Sequence, residues 1–115
     1  MGQPRIFRLL LLVLIDKYKP HGYELMKILN EISGGLIKVG PGTIYPTLFF
    51  LKARGFIREI GGDRRKKYEL TAKGREELEK HIDKLLILCK NLISLIESSS
   101  SIATRDKVQR QETGE

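Results

Sequence analysis

Thr43, Tyr45 and Thr47 place three hydroxyls within five residues, and Arg64, Arg65, Lys66 and Lys67 follow as four consecutive cations. This is the chemistry of binding rather than of bond making. Hydroxyls exchange hydrogen bonds with sugar, phosphate and base edges, and each Lys or Arg neutralises a phosphate. Tyr23, Lys38 and Lys52 can extend the same surface. No comparable set exists for catalysis. His21 and His81 are far apart, and the single cysteine, Cys89, lies in an apolar stretch where a thiol is not activated. There is no Gly-rich phosphate loop and no His/Cys/Asp cluster with metal-ligand spacing, so neither an enzyme nor a cofactor is expected. One cysteine also forms no internal disulfide, which fits a reducing compartment.

The spacing around these residues predicts how they are held. Gly42 gives a turn and Thr43 is a suitable N-cap, so a helix is expected from Thr43 to Arg54. That start puts Pro46 at the third helical position, where a missing N–H breaks no hydrogen bond. Ile44, Leu48 and Leu51 share its core face, and Gly55 ends it. Phe56–Ile60 and Lys66–Leu70 read as two strands joined through Gly61-Gly62, with Tyr68 and Leu70 facing inward. A short helix followed by a basic hairpin is the layout of a winged helix-turn-helix, in which the helix enters the major groove and the hairpin reaches neighbouring backbone or minor groove.

Charge supports a polyanion partner at one surface. The 115 residues carry a net charge of +7, and residues 52–75 hold nine Lys/Arg against three Asp/Glu. Residues 76–97 are net acidic. The duller account of the four cations is that they keep an exposed hairpin soluble. For Tyr45 it is a place at the edge of the core; for Tyr23, cover for the first helix. Hydrophobic content of 41% allows one modest core. Arg5 and Arg8 ahead of seven apolar residues, Leu9–Ile15, look like the start of a signal peptide, but Asp16-Lys17 follow with no small-residue cleavage site. The run is far below the roughly 20 residues that cross a bilayer. A cytoplasmic protein without membrane contact is expected.

Elsewhere, Ile6 to Tyr18 is apolar nearly all round, as in a helix at the centre of a core. Lys19-Pro20 ends it. His21-Gly22-Tyr23-Glu24 opens a second helix with Leu25, Ile28, Leu29 and Ile32 at helical spacing, broken by Ser33-Gly34-Gly35. His21 reads as a turn residue rather than a ligand. Leu36–Val39 suits a short strand. Thr71 can cap a last helix running to about Glu97, some 40 Å long at about 1.5 Å per residue. Gly74 in its first turn suggests a close backbone approach or nothing in particular. Leu78, Ile82, Leu85, Cys89, Leu92 and Ile96 follow a heptad seam, widened by Leu86, Leu88, Ile93 and Leu95. A second copy of the chain is the simplest cover for so wide an apolar face; the alternative is a helix folded back on its own core.

The order of these pieces resembles the PadR family of transcriptional regulators. The resemblance rests on His21-Gly22-Tyr23-Glu24-Leu25, on Pro41-Gly42-Thr43-Ile44-Tyr45-Pro46-Thr47-Leu48, on Leu51 and Gly55-Phe56-Ile57, and on Lys67-Tyr68-Glu69-Leu70-Thr71-Ala72-Lys73-Gly74. It spans about residues 6–97. It implies a homodimer held by the C-terminal helix, a two-fold double-stranded DNA site, repression, and a small-molecule effector that loosens the complex. Its single short C-terminal helix looks like the smaller subfamily. Two departures stand out. Phe49 and Phe50 replace residues that are commonly basic or polar in the family. They point away from the core face set by Ile44, Leu48 and Leu51, and can touch thymine methyls, fill a pocket or meet a partner. The chain also has no Trp, so the family's way of holding aromatic drugs between tryptophans does not carry over.

The expected fold class is therefore mainly α with a small β-hairpin. Residues 1–70 would form a winged helix-turn-helix, 71–97 a dimerisation helix and 98–115 a disordered tail. The expected function is sequence-specific DNA binding and transcriptional regulation, as a repressor. DNA contacts would come from Tyr23, Lys38, Thr43, Tyr45, Thr47, Lys52 and Arg64 to Lys67, and dimer contacts from Leu78, Ile82, Leu85, Cys89, Leu92 and Ile96. Two other classes stay open: a ligand-sensing or protein-interaction module that kept the fold and lost DNA binding, and an RNA-binding winged helix.

Overall fold

The computed structural model describes residues 5–61 and 64–99. The element order is α1 (Arg5–Tyr18), α2 (Gly22–Ile32), α3 (Pro41–Ala53), β1 (Ile57–Ile60), β2 (Lys67–Leu70) and α4 (Ala72–Ser98). The chain divides into two compact units, Met1–His81 and Ile82–Glu115. The first holds α1 to α3, the hairpin and the start of α4. The second, among the described residues, is the remainder of α4.

The apolar run of α1 forms the centre of the first unit, with Leu11 and Ile15 fully buried. Pro20 disfavours helical backbone at the residue before it, and Lys19 turns out of the helix with φ of 46°. His21 then caps α2 through a reciprocal pair. The Glu24 N–H donates to His21 Nδ1 (3.4 Å), and the His21 N–H donates to Glu24 Oε1 (3.1 Å). Leu25 and Leu29 fill the core beneath. Gly34 and Gly35 end α2 in left-handed conformations that side chains avoid.

The strand expected at Leu36–Val39 does not form. Leu36 is exposed, and the N–H groups of Leu36 and Ile37 turn back to the Ser33 carbonyl and hydroxyl instead of a neighbouring strand. The sheet has two antiparallel strands, with Ile57 opposite Leu70 and Glu59 opposite Tyr68. β2 also reaches the turn before α2, where the Tyr68 N–H donates to the Pro20 carbonyl at 3.0 Å. That bond fixes the hairpin against the start of α2. The turn residues Gly62 and Asp63, and the tail from residue 100 on, lie outside the described residues.

α3 begins three residues earlier than expected from a Thr43 cap. Gly40 is its N-cap and Pro41 its first residue, a position suited to proline because its fixed φ is already helical. Pro46 therefore sits at the sixth helical position rather than the third. Its ring and missing N–H face the turn containing Gly42, which is exposed. Gly55, with φ of 80°, ends α3, and the Phe56 N–H donates back to the Leu51 carbonyl at 3.0 Å. Thr71 caps α4 as expected, accepting from the Gly74 N–H at 3.0 Å while its hydroxyl donates to the Gly55 carbonyl. Gly74 proves to be a close approach: a Cβ there would lie 1.9 Å from the Phe56 carbonyl oxygen. Arg75 clasps Asp16 with both terminal nitrogens, at 2.8 and 3.3 Å, tying the start of α4 to α1.

Candidate nucleic-acid interface

Three elements of the first unit meet at a cleft of about 380 Å³. The start of α2 supplies His21, Gly22 and Tyr23; α3 supplies Tyr45; the hairpin supplies Arg64, Arg65, Lys66 and Tyr68. Tyr45 and Tyr23 are exposed along its wall. Arg65 Nη1 stands 3.5 Å from His21 Nε2, so the helix cap and the hairpin meet across the cleft. Burial pushes the Tyr68 phenol above its ordinary value, with Glu59 adding to the effect, so it remains a neutral hydrogen-bonding group.

Of the sequence-derived contacts, the structure thus joins Tyr23, Tyr45, Arg64, Arg65 and Lys66. His21 and Tyr68 were not among them. The inward alternation of Tyr68 was visible, but the bond from its N–H to Pro20 that draws it to α2 was not. His21 follows the capping-box spacing with Glu24, yet histidine is not a preferred cap, so that spacing is a weak signal. Lys67 is exposed on β2 and Lys38 is exposed in the α2–α3 loop; neither lines the cleft.

Thr47 is a correction. It is only 5% exposed, and its hydroxyl donates to the Thr43 carbonyl at 2.8 Å. The earlier start of α3 does not rotate this face; Thr47 lies beside Ile44, Leu48 and Leu51, in the core stripe. Thr43 is half-buried in the first turn. That turn is also a poor anion cradle. Pro41 has no N–H, and that of Thr43, which would otherwise be left without a partner, donates to the Gly40 carbonyl at 3.0 Å.

Lys52 and Lys66 converge on one carboxylate. Lys52 Nζ is 2.8 Å from Glu59 Oε2, and Lys66 Nζ is 3.4 Å from Oε1. The Lys52 hydrogen bond holds the Glu59 carboxyl below its usual range, and the Lys52 ammonium is raised in return. Glu59 therefore links α3 to the hairpin and partly neutralises two cations of the surface.

The two phenylalanines have different fates. Phe50 is half-buried, with the guanidinium carbons of Arg8 and Arg54 each 4.8 Å from its ring centre. Phe49 is 73% exposed.

Along α4 the heptad residues divide. Leu78 is 8% exposed and belongs to the core of the first unit, so it is not available to a partner. Ile82 and Leu85 are half-buried. Cys89, Leu92 and Ile96 are exposed, as are Leu86, Leu88, Ile93 and Leu95. Among the described residues no group of His, Cys, Asp and Glu could hold a metal ion. No described helix is long and apolar enough to cross a membrane.

Residues 10–80 match the sequence model of the "Transcriptional regulator PadR-like family". Over 77 residues the chain is 38% identical to the transcriptional regulator YqjI of Escherichia coli, a match covering 64% of this chain and 36% of that relative. The chain thus spans about a third of the length of that curated relative. Among solved structures, a Streptococcus transcriptional regulator superposes with a TM-score of 0.63 at 25% identity, covering 78% of this chain and 91% of the other. A PadR family transcription regulator from Clostridium difficile shares the fold, with a TM-score of 0.61 at 21% identity over 77% of this chain and 96% of that one. These similarities are to transcriptional regulators and not to enzymes.

Proposed function

The chain belongs to the PadR-like family of transcriptional regulators, and from that premise we propose that it binds a two-fold operator as a homodimer and represses transcription. The observation that carries this reading is the cleft where Tyr23 and Tyr45 face Arg64, Arg65 and Lys66. Two tyrosine hydroxyls and three cations on one surface suit a sugar–phosphate backbone, which fixes register before any base is read. Lys67, Lys38 and Lys52 are exposed and would add charge to the surface offered to DNA, and Thr43 stands at the leading end of α3.

The dimer is supported by α4, where Leu92, Ile93, Leu95 and Ile96 are all exposed. An apolar face of this extent is unusual on a monomer, and a second copy buries it symmetrically. In this reading α4 beyond His81 is the dimerisation segment. A small-molecule effector of unidentified class remains part of the family expectation.

The experiment is selection of duplexes bound by the full chain from a random pool, followed by mobility shifts across a salt series. A two-fold sequence is expected. Arg65→Ala with Lys66→Ala should weaken binding to every duplex and flatten the salt dependence by about 0.9 for each phosphate no longer neutralised. Failure to enrich any duplex would favour the alternative, a module that keeps the fold for protein or ligand binding. A preference for structured RNA would point to the RNA-binding class.

A further inference from the structure

The outermost line of α3 carries almost nothing that can hydrogen-bond a base. Opposite the buried stripe of Ile44, Thr47, Leu48 and Leu51 lie Gly42, Pro46, Phe49 and Ala53, all exposed. Tyr45 and Lys52 flank that line on one side. Tyr45 lies over Gly22, and Lys52 is held by Glu59. A helix seated in the major groove presents its outermost line to the groove floor, where bases are normally distinguished by donors and acceptors. Here that line offers a phenyl ring, bordered by a proline ring and a methyl. The only apolar feature on the floor of the major groove is the C5-methyl of thymine. Phe50 does not compete for this role, because its ring is occupied by Arg8 and Arg54.

Resting on the DNA-binding reading, we propose that Phe49 is a specificity-determining residue that reads thymine C5-methyl groups in each half of the operator. The partner is fixed by charge. Residues 52–75 carry nine Lys/Arg against three Asp/Glu. Arg58 and Arg75 are taken up by Glu69 and Asp16, and Lys52 and Lys66 share Glu59. However, Arg64, Arg65 and Lys66 line the cleft beside Tyr45 of α3, and cations beside an apolar helix face suit a polyanion with methyl groups in its groove. Sequence preference then comes from apolar contact and shape, while affinity comes from the cations.

The test uses the full chain and the duplex recovered by selection. Each thymine is replaced in turn by deoxyuridine, which removes only the methyl. At one position, or two adjacent ones, per half-site, affinity should fall about fourfold, the size expected for one buried methyl. Placing 5-methylcytosine in a cytosine variant of that position should recover part of the loss. Phe49→Ala, at an exposed site that leaves the core intact, should still bind but no longer separate thymine from deoxyuridine, and Phe49→Leu should retain part of the discrimination. Wild-type binding that ignores every thymine methyl overturns this inference while leaving DNA binding in place. Methyl sensitivity that persists in Phe49→Ala overturns it too, assigning the contact to another side chain. If no duplex is bound at all, it falls together with the DNA-binding reading.

Discussion

The Tyr45 ring packs against Gly22 so closely that a Cβ at residue 22 would lie 2.6 Å from both Cε1 and the hydroxyl oxygen of the tyrosine. The missing side chain of one helix is therefore the seat for the side chain of the next. It also sets where the Tyr45 hydroxyl stands relative to Arg64, Arg65 and Lys66 in the cleft.

Gly22→Ala should displace Tyr45 rather than unfold the domain. The ring is the far end of a side chain already 45% exposed, so it can swing outward. Alanine is also favoured over glycine in a helix by up to about 1 kcal/mol, so the net change in stability should be within about 1 kcal/mol of zero. DNA affinity should fall about as much as in Tyr45→Ala. In a double-mutant cycle the two losses should not add. Additive losses measured by mobility shift would separate Gly22 from the position of Tyr45.

Gly74 makes the opposite case. A Cβ there meets the backbone carbonyl of Phe56, not a movable side chain. That carbonyl is also held by the Thr71 N–H at 3.0 Å. Gly74→Ala gains helix propensity yet must push two backbone segments apart, and overpacking of this kind costs about 1–3 kcal/mol. Chemical denaturation should show a lower midpoint with an unchanged slope. A neutral or stabilising result would mean that the α3–β1 connection yields easily.

These two glycines also show how far sequence reasoning carries. The largely apolar α1, the hairpin and the Thr71 cap were legible because each rests on local pattern. Tyr45 and Arg64 to Lys66 were legible as polar and basic residues of one surface, and the structure brings them to one cleft. The packing of Tyr45 on Gly22 was not, because it joins two helices through a residue with no side chain to signal it. The start of α3 was misplaced because Thr43 is a better cap by propensity than Gly40, whereas Pro41 favours the first helical position and decided the boundary. Thr47 was assigned to the surface by its hydroxyl, although its spacing places it in the core stripe. Leu78 belongs in register to the α4 seam, but the first unit takes it for its own core, which the heptad pattern does not distinguish.

Glu59 should behave as a brake on DNA affinity. It neutralises Lys52 and Lys66 at once, and phosphates must compete with it for both ammoniums. Glu59→Gln should raise affinity for all duplexes and steepen the salt dependence, as more cations become available. The same carboxyl titrates below its usual value of 4.5, chiefly through the Lys52 hydrogen bond. Because its folded-state value is the lower one, the contribution to stability is present above 4.5 and is lost as pH falls through the folded value. The raised Lys52 acts in the opposite direction, contributing below 10.5 and losing that contribution as pH rises through its folded value. Following the Glu59 carboxyl by NMR titration in Lys52→Met should show its value moving back up; an unmoved titration would remove the link.

Leu92 and Ile96 offer the sharpest test of assembly. They are 48% and 56% exposed, so replacing them asks little of the single chain. Leu92→Lys with Ile96→Lys should leave the unfolding of the first unit unchanged while placing like charges on the face where two copies would meet. Burying a leucine-sized side chain is worth about 1.5–3 kcal/mol, and a homodimer feels each substitution twice. Sedimentation should report monomers at concentrations where the parent chain is dimeric. Operator affinity should drop by more than about tenfold, equivalent to about 1.4 kcal/mol, because one protomer then holds only a half-site, while binding to that half-site through Tyr45 and Arg65 persists. A variant that sediments as a dimer would move the interface off the distal part of α4, and Leu85, half-buried before any partner arrives, would be the next residue to substitute.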